Sequence, residues 1–312
     1  MSSQYFRFSA RAAEPQRSPL LEQLIARADG CSTVVDWRGD AFHLVTPDAP
    51  MMPAVGAAVL CADRGAMDAA WVCLATPVHY VAGMNSVSLA VDGMLSLTPA
   101  VAETLAADFN RVLGGAGVRL VATRSAQLIG LFDRAPEAAT HDPQDVRGRP
   151  IEEYLPSGAG SARLRLLMSE MEMWLSEHAA NEVRNESGQP VLNGLWLWGG
   201  GAALASLPRV SGWCAGDDVF FGALGAGALG AGALSAQDCE RNASGVVAVD
   251  AVPGSKRWSE AEARWLEPAS EQLKSGKLAQ LQLSADDRCF TVSARGMRRF
   301  WRRSKPWQES FG

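Results

Sequence analysis

The stretch VLNGLWLWGGG at residues 191–201 decides the fold class. Its apolar residues are nearly continuous instead of alternating with polar ones, which is typical of a strand covered on both faces in a largely parallel sheet. Four further runs of strand length share this character, at residues 33–37, 70–76, 118–123 and 245–250. Helical patterns lie between these runs, so we predict an α/β fold with a largely parallel sheet flanked by helices.

The C-terminal part of the chain predicts an antiparallel pairing at the edge of that sheet. Residues 280–283 and 289–292 are short apolar strands, and the turn between them contains Asp286 and Asp287. Such a pattern predicts a hairpin. Further upstream, the polar, proline-rich residues 141–160 are interpreted as a connector. The predicted organisation is therefore an N-terminal α/β lobe over residues 1–140, this connector, and a C-terminal α/β lobe with a basic tail over residues 161–312.

Composition limits the class of protein. Apolar residues make up 47% and charged residues 20% of the chain, which excludes general disorder. No uninterrupted apolar run approaches the length of a membrane-spanning helix, so we expect no membrane partner. The six cysteines are scattered without a Cys-x-x-Cys pair. This usage favours small buried residues in a reducing compartment, and we expect a cytoplasmic protein.

Basic residues are concentrated in the C-terminal tail. Residues 295–312 contain six basic residues and one acidic residue, a local charge of +5 in a chain whose total is −5. Arginines that alternate with aromatic residues would clamp single-stranded nucleic acid by charge and stacking. The alternative is an amphipathic helix in which Met297, Phe300 and Trp301 pack on the protein and the arginines stay solvated. Because the rest of the chain is acidic, we favour this helix and do not expect a nucleic-acid partner, with the tail at Arg298, Arg299, Arg302 and Arg303 as the one place where such a partner would bind.

The clearest helix is predicted over residues 163–184, where an apolar stripe turns polar near its C-terminal end. His178, Asn181 and Glu182 continue this stripe. His178 and Glu182 stand four residues apart, so their side chains would converge on one ligand or ion. The alternative is a core histidine that binds Asn181 or a backbone carbonyl, with Glu182 reaching water.

Further candidate residues follow or interrupt two predicted strands: Thr76, His79, Asn193, Gly199, Gly200 and Gly201. In open α/β sheets ligands bind at the carboxyl ends of the strands, so we expect His79 to lie near the three glycines. Histidine changes its charge near neutral pH, which makes it a candidate for catalysis. Bare glycine N–H groups would bind a phosphate or an oxyanion. The glycines equally fit a tight turn, and Asn193 must find several partners whatever its role.

The motifs of several common enzyme classes are absent. The sequence has no Gly-x-Ser-x-Gly elbow, no Walker loop, no dinucleotide fingerprint and no His-Glu-x-x-His motif. Asp36 and Asp250 fall at predicted strand ends, where a carboxylate binds a metal or caps the next helix. The GALGA repeat at residues 222–236 lacks the Lys-Ser or Lys-Thr of a phosphate loop, and we interpret it as a tightly packed small-residue segment.

Three stretches follow one another along the chain: TPVHYVAGMNSVSL at residues 76–89, HAANEVRNESG at residues 178–188 and LNGLWLWGGG at residues 192–201. In this order they resemble bacterial cofactor-independent phosphoglycerate-mutase-like proteins, also called RpfE-type regulatory proteins. The resemblance implies an alkaline-phosphatase-like α/β fold and an ancestry in two-metal phosphoryl transfer. It also implies a histidine and an aspartate where this chain has Val81 and Asn85. We therefore expect too few ligands for a pair of metal ions.

These observations favour a non-catalytic regulatory protein that binds a small anionic ligand or a protein partner and uses no cofactor or metal. The first alternative is a divergent phosphoglycerate mutase or phosphohydrolase, with His79, His178 and Glu182 as catalytic residues and Mn or Zn as cofactor. A weaker alternative is an accessory protein of DNA metabolism. The expected ligand-binding residues are Thr76, Asn181, Asn193, Gly199, Gly200 and Gly201.

Overall fold

A six-stranded sheet and a five-stranded sheet organise the computed structural model, which describes residues 2–10, 16–229 and 244–311. Each sheet belongs to a different compact unit. Unit 1 combines residues 1–52 with residues 208–312, and unit 2 is the continuous segment 53–207. Among the described residues, no helix has both the length and the apolar character needed to cross a membrane.

The sheet of unit 1 has a parallel centre and an antiparallel side. Its strands, numbered along the chain, are β1 (Ser3–Arg7), β2 (Gly30–Thr33), β8 (Trp213–Gly216), β9 (Gly245–Ala248), β10 (Gln280–Ala285) and β11 (Arg288–Ser293). They lie in the order β2-β11-β10-β1-β9-β8. The pairs β10/β1, β1/β9 and β9/β8 are parallel, whereas β10/β11 and β11/β2 are antiparallel.

Helices and a common apolar core cover this sheet. The helices are α1 (Pro19–Ala26), α2 (Trp37–Val45), α8 (Val219–Leu229), α9 (Lys256–Ala261), α10 (Glu267–Ser275) and α11 (Gln308–Phe311). Phe8 of the chain after β1 packs edge-on against Trp258, with 5.3 Å between the ring centroids. Both side chains are almost fully buried together with Leu21 of α1 and Leu281 of β10. Removal of these apolar surfaces from water supplies the main driving force for forming the unit.

Unit 2 contains an entirely antiparallel sheet built on one long strand. Its strands are β3 (Trp71–Ala82), β4 (Val87–Met94), β5 (Val118–Ala122), β6 (Leu128–Phe132) and β7 (Gly194–Gly201), and its helices are α3 (Val55–Arg64), α4 (Pro99–Val112), α5 (Pro143–Val146), α6 (Ser161–Ser176) and α7 (Ala180–Glu186). The long β3 pairs with β4, β6 and β7, and β5 pairs with β6.

The predicted α/β class with helix-flanked sheets is confirmed. Strands β3, β5, β7 and β9 fall on predicted runs, and β10 and β11 form the predicted hairpin, with β2 paired outside it. Two details differ from the prediction. The run at residues 33–37 is not a strand, because Asp36 accepts a hydrogen bond from the N–H of Gly39 and begins α2. The apolar strands of unit 2 pair antiparallel. A continuous run of apolar residues indicates that both faces of a strand are covered, but it does not indicate whether the neighbouring strands run parallel or antiparallel.

The division of the chain also differs from the predicted one. Residues 141–160 lie inside unit 2 and do not connect two lobes. Nδ1 of His141 lies 2.9 Å from the carbonyl oxygen of Tyr154, and the indole N–H of Trp196 donates to the carbonyl of His141. These bonds attach residues 141–160 to their neighbours in unit 2. A high proline content was therefore not sufficient to predict a separate connector. In the small-residue repeat, α8 covers its first part, and residues 230–236 lie outside the described residues.

Candidate functional site

The predicted site residues of unit 2 bind the backbone that leads into β7. Nδ1 of His79 lies 2.9 Å from the carbonyl oxygen of Val191. Because a carbonyl only accepts, Nδ1 carries the proton in this contact. The side chain of Asn181 holds both polar groups of the next residue, accepting from the N–H of Leu192 at 2.7 Å and donating to its carbonyl at 2.9 Å. His79 and Asn181 therefore fix the entry to β7.

Asn193 and Thr76 are used in the same way. The amide of Asn193 accepts from the N–H of Tyr80 at 2.7 Å and donates to the carbonyl of Tyr80 at 2.9 Å. The hydroxyl of Thr76 accepts from the indole N–H of Trp198 at 2.7 Å. The partners that these partly buried side chains need are thus supplied by β3 and β7 themselves. These hydrogen bonds give Asn193 and Thr76 a structural role in the sheet.

His178 and Glu182 do not share one continuous helix, which corrects the predicted helix over residues 163–184. Helix α6 ends at Ser176, and α7 begins at Ala180. His178 lies between them, where its Nδ1 accepts a hydrogen bond from the N–H of Ala180 at 3.0 Å. The break removes the four-residue helical spacing that would have brought the two side chains together, and Glu182 is exposed to solvent.

The second ring nitrogen of His178 binds a carboxylate of α4. Nε2 lies 3.3 Å from Oδ2 of Asp108, and the His178 side chain is only 8% exposed. Since Nδ1 accepts, Nε2 is the nitrogen that donates. Hydrogen bonds from Arg111, the larger influence, and from His178 hold the pKa of Asp108 below its ordinary value. The expected partner of His178, Asn181 or a backbone carbonyl, is thus replaced by an aspartate distant in sequence.

The three glycines at the end of β7 are packed closely against side chains of neighbouring segments. A Cβ on Gly200 would overlap the indole ring of Trp71, one on Gly199 would lie 2.9 Å from Cβ of Val55, and one on Gly201 would lie 2.6 Å from Cβ of Ala54. Gly199 also has a φ of 62°, a conformation that glycine adopts without steric cost. Close packing explains why no side chain stands at these three positions.

The glycines and His79 lie at opposite ends of the β3/β7 pair. Val72 is paired with Gly201 and Val78 with Gly194, so β7 runs against β3. At roughly 3.3 Å per residue, His79 is separated from the glycine end by about 20 Å. The expectation that His79 lies near Gly199, Gly200 and Gly201 is therefore wrong. It assumed parallel strands, whose carboxyl ends meet at one edge, whereas antiparallel strands place theirs at opposite edges.

A different group of polar residues occupies the carboxyl edge of the parallel strands in unit 1. Arg7 ends β1, Asp217 and Asp218 follow β8, and Asp250 follows β9. Because β8, β9 and β1 are parallel, these residues meet at the same edge, which is where open α/β sheets bind ligands. This edge is the candidate functional site of the chain.

Asp218 is the buried centre of the carboxyl edge. Its Oδ2 accepts two hydrogen bonds from the guanidinium of Arg38, at 2.9 and 2.7 Å, and both side chains are less than one-tenth exposed. Its Oδ1 accepts from the N–H groups of Phe220 and Phe221 at the start of α8. Both oxygens are therefore committed to donors, and the negative charge is balanced by Arg38 and by the positive end of the helix dipole.

Asp217 is held in a similar manner at a more exposed position. Its Oδ1 lies 2.9 Å from the guanidinium of Arg257, and its Oδ2 accepts from the N–H of Asp250 at 3.0 Å. Arg7 donates to the hydroxyl of Ser284 and to the carbonyl of Asp286 across the edge. Arginines and backbone N–H groups thus satisfy the carboxylates that follow β8.

Aromatic stacking fixes two of these arginines. The guanidinium carbon of Arg7 lies 5.1 Å from the ring centroid of Trp37, and that of Arg38 lies 4.7 Å from it. Each position allows a cation–π attraction to the indole. Sequence reasoning identified Asp36 and Asp250 but missed Arg38 and Asp218. The available signal was the pair Asp217-Asp218 directly after a short apolar run.

The described residues do not fit the metal pair that the family resemblance implies. Within residues 2–10, 16–229 and 244–311, no group of three or more His, Cys, Asp or Glu side chains is arranged to hold a metal ion. At the carboxyl edge, Asp217 and Asp218 use both of their oxygens on N–H donors. A divalent cation would have to displace arginines that already neutralise these carboxylates.

Comparison with known proteins relates short parts of the sequence to one class of enzyme. No family model matches the chain. A stretch of 61 residues is 41% identical to the probable 2,3-bisphosphoglycerate-independent phosphoglycerate mutase of Geobacter sulfurreducens, and it spans 20% of this chain and 15% of that enzyme. A stretch of 73 residues is 37% identical to the corresponding mutase of Methanothrix thermoacetophila, over 23% of this chain and 18% of that enzyme.

Two solved structures align with most of the chain at low identity. The cofactor-independent phosphoglycerate mutase of Thermoplasma acidophilum aligns with a TM-score of 0.41 and 14% identity, over 100% of this chain and 95% of that one. The PH0037 protein of Pyrococcus horikoshii aligns with a TM-score of 0.42 and 10% identity, over 94% of this chain and 87% of that one. The stretches matched by sequence span only 15% of the Geobacter sulfurreducens mutase and 18% of the Methanothrix thermoacetophila mutase.

Proposed function

We propose that the chain is a non-catalytic regulatory or binding protein of the RpfE type, on a degenerate phosphoglycerate-mutase-like fold. The observation that carries this proposal is the state of Asp218, whose two oxygens bind Arg38 and the first turn of α8. Two-metal phosphoryl transfer requires carboxylates that face the cations, so that the ions clamp the attacking and leaving oxygens. A carboxylate neutralised by a buried arginine supports binding without catalysis.

A small anion is the ligand that we propose for the carboxyl edge. The side chain of Arg257 is 58% exposed and that of Arg7 is partly exposed, so a ligand would reach both guanidiniums. A guanidinium binds phosphate and carboxylate groups through paired, charge-assisted hydrogen bonds. A phosphorylated acid such as 3-phosphoglycerate carries both groups and is the probe of choice.

We also propose a cytoplasmic location. The described cysteines are all free thiols, at Cys31, Cys61, Cys73, Cys214 and Cys289. Free thiols persist in a reducing compartment, whereas secreted proteins commonly pair theirs. This usage supports the location that composition suggested.

Turnover measurements test the absence of catalysis. Purified full-length protein is assayed with 3-phosphoglycerate and with p-nitrophenyl phosphate, with and without added Mn²⁺ or Zn²⁺, and cation binding is measured by calorimetry. We expect neither turnover nor stoichiometric cation binding. The matched variants are Asp218→Asn and Asp36→Asn, since Asp36 only caps α2. Metal-dependent turnover that is lost in the first variant and kept in the second would contradict the proposal.

Thermal shift measurements test the ligand. Addition of 3-phosphoglycerate should raise the melting temperature, because a ligand that binds the folded state alone stabilises it. Arg257→Ala should reduce this shift. The control is Arg124→Ala, which removes an arginine that pairs with Asp63 in unit 2. Equal shifts in the two variants, or no shift in the unaltered protein, would exclude an anion site at this edge.

The alternative function is a divergent phosphoglycerate mutase or phosphohydrolase, which the 41% identity over 61 residues favours. In that case His79, His178 and Glu182 would be the catalytic residues and Mn or Zn the cofactor. The same assays separate the two functions. Under the alternative, His178→Ala abolishes a metal-dependent turnover that the unaltered protein displays, at an unchanged melting temperature.

A further inference from the structure

The basic tail is anchored to the protein by some of its residues. Met297 and Trp307 are buried, and the indole N–H of Trp307 donates to the carbonyl of Gln16. Arg299 forms an ion pair of 2.8 Å with Asp29. Arg302 donates to the carbonyl of Ala28 at 2.9 Å, just beyond the C-terminal end of α1. Unsatisfied carbonyls and the negative end of a helix dipole attract such cations.

The anchoring leaves the aromatic residues of the tail in solvent. Phe300 is 80% exposed and Trp301 is 67% exposed, with their rings 5.4 Å apart in an edge-on arrangement. The amphipathic helix predicted from sequence is therefore wrong for these two residues. The backbone forms only a short 3₁₀ turn at Gly296–Arg298, which turns Met297 inward and the two aromatic rings outward. Two adjacent large aromatic rings in water are typical of a binding surface.

Three arginines in the same segment as the exposed rings have no side-chain partner among the described residues. Arg295, Arg298 and Arg303 are exposed, and their side chains form no ion pair or hydrogen bond with any residue that the structure describes. An open cavity of about 410 Å³ is lined by Asp29, Arg295, Arg298, Arg299 and Trp301. Asp29 is neutralised by Arg299, so two guanidiniums and an indole face are available to a ligand in this cavity.

We propose that this surface, formed by Arg295, Arg298, Phe300, Trp301 and Arg303, binds single-stranded nucleic acid. A nucleobase presents a flat face that stacks on an exposed indole, and the phosphate beside it binds a guanidinium. A duplex hides the faces of its bases, and the Asp and Glu side chains of an acidic peptide carry no ring to place on Trp301. The combination of rings and free arginines therefore favours an unpaired strand over either of these anions. This activity is separate from the proposed function at the carboxyl edge.

The number of free arginines sets the expected salt dependence. Three guanidiniums neutralise at most three phosphates, which gives a slope of about −2 for the logarithm of the binding constant against the logarithm of the salt concentration. Between 50 and 200 mM salt the affinity should fall about 20-fold. A much steeper slope would require cations elsewhere on the chain.

Fluorescence anisotropy with a labelled twelve-nucleotide oligothymidylate tests the proposal on the full-length chain. We expect salt-sensitive binding that Trp301→Leu weakens roughly tenfold and Trp301→Phe largely retains, because stacking needs a ring and not only apolar surface. The double variant with Arg295→Ala and Arg298→Ala should weaken binding and flatten the salt slope by about 1.4. Arg209→Ala is the matched control, because Arg209 is exposed and lies outside the tail. Melting temperatures confirm that each variant is folded.

Several results would overturn the proposal. Absence of binding at 50 mM salt excludes the site. If Arg209→Ala weakens binding as much as the tail variants do, binding depends on the overall charge of the protein and not on the tail. Equal affinity for the duplex of the same length refutes stacking, and equal, Trp301-dependent affinity for a twelve-residue polyglutamate peptide identifies an acidic protein segment as the partner.

Discussion

Replacing Asp218 by alanine should destabilise unit 1 strongly without affecting unit 2. The substitution removes the carboxylate that accepts two hydrogen bonds from the buried guanidinium of Arg38, in a pair whose two side chains are both less than one-tenth exposed. It also removes the acceptor for the N–H groups of Phe220 and Phe221 at the start of α8. The carboxylate therefore stabilises the fold in two independent ways.

The magnitude follows from these two losses. Removing one partner of a buried ion pair costs about 3–5 kcal/mol, and loss of a helix cap costs about 1 kcal/mol. We expect a decrease of about 4–6 kcal/mol in the free energy of unfolding of unit 1. Asp218→Asn keeps an oxygen for the helix cap, so its effect should be smaller. Arg257→Ala breaks the exposed pair with Asp217 and should cost less than about 1 kcal/mol.

Hydrogen–deuterium exchange in increasing urea measures the two units separately. A two-unit chain need not unfold in one step, so a single optical transition is insufficient. Peptides from β1, β8 and β9 report on unit 1, and peptides from β3 and β7 serve as the internal control. With a slope of about 2 kcal/mol per molar urea, the midpoint of unit 1 should fall by about 2 M or more.

Two outcomes would refute this reasoning. If Asp218→Ala costs no more than Arg257→Ala, the pair with Arg38 is hydrated and the carboxylate is available for other chemistry. If the variant is as stable as the unaltered protein and loses a metal-dependent turnover, Asp218 is a catalytic residue, and the chain is an enzyme.

Three further substitutions test residues of unit 2, and one of them is compared with a control substitution in α8 of unit 1. His178→Ala loses the bonds to Asp108 and to the N–H of Ala180, so it should cost about 1–3 kcal/mol in urea unfolding, and an unchanged stability would contradict the structural role. Gly200→Ala forces a methyl group into the Trp71 ring and should lower the free energy of unfolding by about 1–3 kcal/mol. The control is Gly222→Ala, which has open space around its helical position and should raise the free energy of unfolding by up to about 1 kcal/mol. Equal effects of the two substitutions would refute the packing argument. Burial raises the pKa of Glu172 above its ordinary 4.5, so the folded state loses stability as the pH rises from the ordinary pKa to the raised one. Glu172→Gln should therefore raise the melting temperature at pH 7 but not near pH 4. A change in melting temperature that is the same at both pH values would contradict this cause.

The polar residues of the sequence motifs illustrate how far local pattern indicates function. Asn193 lies within an apolar run, and its need for several partners was evident from the sequence. That these partners would be the N–H and carbonyl of Tyr80, on a strand 113 residues away in sequence, depended on the pairing of β3 with β7. An unusual polar residue therefore marks a constraint, and the tertiary structure decides whether that constraint is structural or functional.

The same limit applies to the carboxyl edge of unit 1. Arg38 and Asp218 are 180 residues apart, and each alone resembles an ordinary surface residue in the sequence. Their pairing follows from the return of the chain, after unit 2, to the sheet that β1 began. From the sequence, a boundary is predicted at residues 141–160 because proline content can be read from a few neighbouring residues. The return of the chain to the first sheet depends on contacts between distant segments, which no local pattern shows.

The amino-acid sequence by itself determined the α/β class, the late hairpin and the acidic body with its basic tail. These features follow from apolar runs, turn residues and charges that act over a few neighbouring residues. Only the tertiary structure decided the direction of the strands in unit 2, the separation of His79 from the glycines, and the exposure of Phe300 and Trp301. The physical reason is that burial of apolar surface has no direction, so strand partners and exposed faces are selected by packing between segments distant in the chain.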